Sequence, residues 1–108
     1  MNSPVALVRA APGTGESNRF LRWLESRHQQ PGAGLVFFQG DAVHHALVSL
    51  KPDALPSRWR YLVCSGSWQR RCDHAPVEPF EIGSLMTFFD TLCERPGEFA
   101  CFGQGGGH

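Results

Sequence analysis

Four short apolar runs punctuate this chain: Val5-Ala6-Leu7-Val8, Leu35-Val36-Phe37-Phe38, Tyr61-Leu62-Val63-Cys64 and Phe99-Ala100-Cys101-Phe102. A strand wet on one face alternates apolar with polar side chains, whereas a strand buried on both faces is apolar throughout. Runs of the second kind are the mark of a parallel sheet whose crossovers cover it. The intervening segments suit that role. Glu16 to His28 carries Phe20, Leu21, Trp23 and Leu24 near helical spacing and is stopped by Pro31-Gly32. Ala42 to Leu50 reads as a short helix, Lys51 to Pro56 as a connector broken by Pro52 and Pro56, and the residues through Arg71 as a short helix or turn. Phe80-Glu81-Ile82 reads as one more strand, and Gly83 to Glu94 as a helix with Leu85, Met86, Phe89 and Leu92 on its apolar face, ended by Pro96-Gly97. The expected fold is α/β, a three-layer α/β/α sandwich around a mostly parallel sheet of about five strands. One domain is expected over residues 4–102, with a flexible Gly-rich tail over 103–108.

Charge and cysteine usage narrow the chemistry. Lys and Arg total 10 and Asp and Glu total 10, so no global positive field draws the chain to nucleic acid or an anionic membrane. No apolar run approaches the roughly 20 residues that cross a bilayer, and the first residues lack the pattern of a secretory signal. The expected compartment is the cytoplasm, where cysteines persist as thiols. Seven residues separate Cys64 from Cys72, and seven separate Cys93 from Cys101, with no Cys-x-x-Cys pair. Even with His44, His45 and His74 added, this is poor spacing for zinc, and no metal is expected. Cys93 and Cys101 read as small core hydrophobes. Gly13-Thr14-Gly15 lacks the Gly-Lys-Ser/Thr ending of a phosphate-binding loop, so no nucleotide cofactor is expected either.

Cys64 is the candidate for chemistry. It ends an apolar run and is followed by Ser65-Gly66-Ser67, then by Arg70-Arg71. A free thiol near pKa 8.5 is a few per cent ionised at neutral pH; a helix N-terminus or a neighbouring cation lowers that value. The N–H groups of Ser65, Gly66 and Ser67 are placed to face the sulfur, and Arg70 and Arg71 to add positive potential. His44 and His45 are candidates for assisting proton transfer. Cys72 is a candidate to resolve an oxidised Cys64. Each has a plainer reading: Cys64 as an inert core thiol, the arginines as solvated surface, the histidines as the start of a helix, Cys72 as a helix-end residue. Trp59 and Trp68 suit contacts between subunits or, equally, the core.

Several blocks, in order, resemble the DsrE/DsrF/TusD-like (YchN-like) sulfur-relay family. Pro12-Gly13-Thr14-Gly15 is similar to its first βα turn, and Val36-Phe37-Phe38-Gln39-Gly40-Asp41-Ala42-Val43-His44-His45-Ala46 to its aromatic strand and following turn and helix. Val63-Cys64 with Arg70-Arg71 resembles the cysteine segment of sulfur-transferring members, and Ile82-Gly83-Ser84-Leu85 the entry to the last helix. Ala42 stands where the family commonly has glycine, and Val48 to Arg60 is shorter than the matching region. The resemblance implies a sulfur carrier or sulfurtransferase with persulfide at Cys64, no cofactor, sulfur donor and acceptor proteins as partners, and assembly into homo- or hetero-oligomers. It leaves two alternatives: a non-catalytic scaffold or regulatory subunit, and a thiol redox sensor pairing Cys64 with Cys72.

Overall fold

The computed structural model describes residues 4–27, 33–49, 55–56, 58–94 and 99–103. Each of the four apolar runs forms a strand, and the Phe80-Glu81-Ile82 segment forms the fifth: β1 (Val5–Val8), β2 (Leu35–Phe38), β3 (Arg60–Cys64), β4 (Phe80–Gly83) and β5 (Phe99–Phe102). They make one sheet in the order β4-β3-β2-β1-β5, with every neighbouring pair parallel. The α/β class and the parallel five-stranded sheet follow the expectation from the sequence.

Parallel strands need long crossovers, and here those crossovers divide unevenly. α1 (Gly15–Ser26) opens at Thr14, whose Oγ1 accepts from the Ser17 N–H at 3.1 Å. It packs Phe20 and Leu24 onto the first face of the sheet, against Ala6, Val8, Val36, Phe38 and Phe102. The β2–β3 crossover and α2 (Ser65–Arg71) use the same face, bringing Ala42, Val43, Trp59 and Trp68. α3 (Leu85–Glu94) lies on the opposite face, where Phe88 packs with Val5, Leu35, Phe37 and Leu62. Ser84 caps α3 by accepting from the Thr87 N–H at 3.1 Å.

Several details differ from the expectation. The segment expected as an α-helix from Ala42 is a 3-10 turn, Gly40–His44, running into a π turn, His45–Ser49. Leaving the α-helical phase lets Ala42, Val43 and His45 all point into the core. Leu50 and the connector residues 51–54 lie outside the described residues, as do His28, Pro31-Gly32, Pro96-Gly97 and the tail from 104 onward. α3 turns a different side to the sheet than its pattern suggested. Phe88 is fully buried, while Met86 is 72% and Phe89 49% exposed. Trp59 and Trp68 are core residues rather than surface contacts. Cys101 is exposed on β5, not a core residue, and the Cys93 side chain lies outside those described.

Trp59 reaches the core only because Gly34 has no side chain: a Cβ there would fall onto the indole ring. The ring also meets Trp23 edge-on at 5.6 Å between centroids. Gly34→Ala is therefore expected to destabilise the fold by about 1–3 kcal/mol, the usual cost of overpacking a dense core. Chemical denaturation of the two proteins measures it, and equal midpoints would contradict the packing described.

Candidate functional site

β3 hands the chain to α2 without a loop. Cys64 is at once the last residue of the strand and the N-cap of the helix, with φ −61° and ψ 126°. The corresponding places before α1 and α3 hold Thr14 and Ser84, ordinary hydroxyl caps. At α2 a half-buried thiol occupies the position where an acceptor is favoured by the free N–H groups of the first turn. The sulfur makes no short, aligned cap bond of the kind Thr14 makes, so the dipoles act on it at looser range.

Burial pushes the Cys64 thiol up. The Ser67 hydroxyl, the N–H groups of Ser67 and Gly66, and the Arg70 guanidinium outweigh burial, and the thiol titrates below its ordinary value. The Ser67 hydroxyl is held for this task. Its oxygen accepts from the Gly40 N–H at 2.8 Å, which leaves its own proton free to donate toward sulfur. Gly40 presents that N–H from a left-handed turn at φ +63°, a conformation that glycine adopts at no steric cost. Ser67 is itself buried.

The remaining candidates separate. Arg71 is not turned to the thiol: its Nη2 and Nε donate to Asp41 at 2.8 and 3.1 Å, and its Nη1 to the Ser67 carbonyl. It ties α2 to the turn after β2, while the exposed Arg70 is the guanidinium that acts on sulfur. His45 is a core residue, packed edge-on against Phe20 at 5.7 Å between ring centroids, with Nε2 3.0 Å from the Ala10 carbonyl. Burial depresses its pKa, so it stays neutral. Neither His44 nor Ser65 is among the groups that act on the thiol. Cys72 stands at the other end of α2 and packs toward the first core, whereas Cys64 packs with the second. At 1.5 Å rise per residue the two Cα atoms are about 12 Å apart, beyond disulfide reach while α2 is folded. Among the described residues, no group of three or more His, Cys, Asp and Glu side chains gathers to hold a metal.

The hydroxyl of Ser67 went unread in the sequence, where only its N–H was considered. Its signal is the spacing Cys64-x-x-Ser67, which sets N-cap against N3 as in a capping box. Chemically, the arrangement among the described residues is a nucleophile without a dedicated base: a partly exposed thiol whose anion is favoured by fixed dipoles and one exposed cation. It lies at the carboxyl end of β3. The point where the crossovers change face lies between β1 and β5, two strands away from β3.

No protein-family model matches this sequence, and no curated protein matches it.

Ser67→Ala is expected to raise the Cys64 pKa and to slow its alkylation at neutral pH, with Arg70→Ala giving a smaller change in the same direction. The pH profile of iodoacetamide labelling, read on the Cys64 peptide, measures both; an unmoved midpoint in Ser67→Ala would remove the hydroxyl from the site. His45 adds a pH dependence of stability. Its folded pKa lies below the unfolded value of 6.5, so unfolding takes up a proton there. Its contribution is complete above pH 6.5 and is lost as pH falls from there toward the folded pKa. Denaturation midpoints measured across that window should fall less steeply in His45→Gln than in the parent.

Proposed function

We propose that this protein carries persulfide sulfur on Cys64, as a sulfur-relay component or sulfurtransferase of the DsrE/DsrF/TusD-like kind. The observation that supports it most is the thiol at the β3–α2 junction: partly exposed, favoured as thiolate by Ser67, Gly66 and Arg70, and set at the carboxyl edge of a parallel sheet. The ordered resemblance of the four sequence blocks supports sulfur as the cargo.

The chemistry balances without a cofactor. The Cys64 thiolate attacks the outer sulfur of a donor persulfide. A new S–S bond forms at Cys64, the donor's S–S bond breaks, and the donor leaves as a thiolate. Sulfur oxidation states are conserved between the pair, so no external oxidant or reductant enters. An acceptor thiolate then attacks the outer sulfur on Cys64 and returns Cys64 to thiolate. Gly66 and Ser67 supply N–H dipoles at the inner sulfur, which is the leaving group in the second step and needs the same stabilisation as the free thiolate. The partners of this reading are sulfur donor and acceptor proteins in the cytoplasm, and further copies or homologous subunits. No helix among the described residues is long and apolar enough to cross a membrane. The redox-sensor reading is less well supported, because α2 must unwind before Cys64 meets Cys72.

Incubation with cysteine persulfide, followed by alkylation and peptide mass analysis, tests the proposal. The expected result is one added sulfur atom on the Cys64 peptide, absent in Cys64→Ser and discharged by a thiol acceptor. No added sulfur, or sulfur spread equally over Cys72 and Cys101, would sink it.

A further inference from the structure

Two neighbouring residues of the turn after β2 hold two residues of α2. Gly40 donates its N–H to the Ser67 hydroxyl oxygen at 2.8 Å. Asp41 accepts from Arg71 Nη2 and Nε at 2.8 and 3.1 Å. Ser67 and Arg71 are four positions apart, about one helical turn, so both ties fall on one face of α2. Arg71 then closes the arrangement, since its Nη1 donates to the Ser67 carbonyl at 3.1 Å. The guanidinium thus joins Asp41 to the residue whose hydroxyl the Gly40 N–H holds. Trp68 seats α2 in the core, and the Asp41–Arg71 pair fixes how the helix is turned about that anchor. Such ties matter in a helix of seven residues, which is too short to keep its shape and place alone.

The turn of α2 reaches the thiol through a choice open to the serine. A hydroxyl in a helix can donate to the carbonyl four residues back, or to an acceptor outside the ladder. With the Gly40 N–H on its oxygen, the Ser67 proton is kept for the Cys64 sulfur. We infer that Asp41 is a positioning residue for Cys64: through Arg71 it sets the rotation of α2, and so keeps the Ser67 hydroxyl aimed at the sulfur. Asp41 is not among the groups that act on the thiol directly, and it works at one remove. The inference rests on Cys64 as the reacting thiol of the proposed function, and not on sulfur as its cargo. Sign separates positioning from plain charge. Asp41 is an anion, and removing an anion by itself favours a thiolate nearby. Loss of positioning does the reverse, because the thiolate loses a donor.

The pH profile of iodoacetamide labelling, read on the Cys64 peptide by mass, tests the inference. In Asp41→Ala the midpoint should rise, and labelling at neutral pH should slow about two- to fivefold, the scale of an exposed ion pair. Arg71→Ala should match it. Asp41→Asn keeps an oxygen for Arg71 without the charge and should give a smaller rise; it carries the test should the alanine variant not fold. In a Ser67→Ala background, Asp41→Ala should move the midpoint no further. Circular dichroism and melting are followed on each protein. An unmoved midpoint, with or without a lower melting temperature, makes the pair a structural tie only and overturns the inference. So does a midpoint that falls, the result of charge alone, or a shift of equal size with and without the Ser67 hydroxyl. Persulfide loading of the parent is read separately. Labelling profiles as stated with no sulfur taken up would remove the cargo and leave the positioning role standing.

Discussion

A parallel sheet cannot be closed by hairpins, and everything particular to this protein depends on that constraint. Each strand must be followed by a crossover that returns the chain to the same edge of the sheet. Successive steps β1 to β2 to β3 to β4 move in one direction and put their crossovers on one face. The final step jumps back across the whole sheet to β5 and puts α3 on the other. One face thus receives a dense aromatic core built on Phe20, Phe38, Trp59 and Phe102, and the other, among the described residues, one helix anchored by Phe88. The exposed flank of α3 is the consequence of this topology rather than a defect of packing.

The same constraint makes the carboxyl edge the chemically active one. Crossovers leave from that edge, so helix N-termini collect there, and with them unpaired N–H groups that favour anions. Thr14 and Ser84 answer two of these with hydroxyls. Cys64 answers the third with sulfur. The turn after β2 then adds support from outside the local chain: the Gly40 N–H orients the Ser67 hydroxyl, and Asp41 anchors Arg71. Stability and reactivity are coupled here, since the contacts that pin α2 also hold the donors at the thiol.

Side chains adjacent in sequence took opposite fates, which shows where local reading ends. His44 and His45 look alike in the chain, yet the change from 3-10 to π winding sends His45 into the core. Arg70 and Arg71 look alike too, and one acts on sulfur while the other is bound to Asp41, thirty residues earlier in the chain. Gly40 and Ser67 are 27 residues apart, so no local pattern joins them. α3 was legible as a helix but not in its orientation, because its apolar arc is too wide to name a single buried side.

By itself the sequence determined the strands, the burial of β1, β2 and β3 on both faces and the place of a thiol at a strand end, while β5, read the same way, leaves Phe99 and Cys101 exposed on one face. Those properties are local: a doubly buried strand must be apolar at every position, and the run that ends in Cys64 carries its own boundary. Only the tertiary structure decided which side of α3 is buried, which arginine faces the sulfur and which hydroxyl is held against it. Those outcomes depend on the order of strands and the face each crossover takes, which are set by contacts between distant segments.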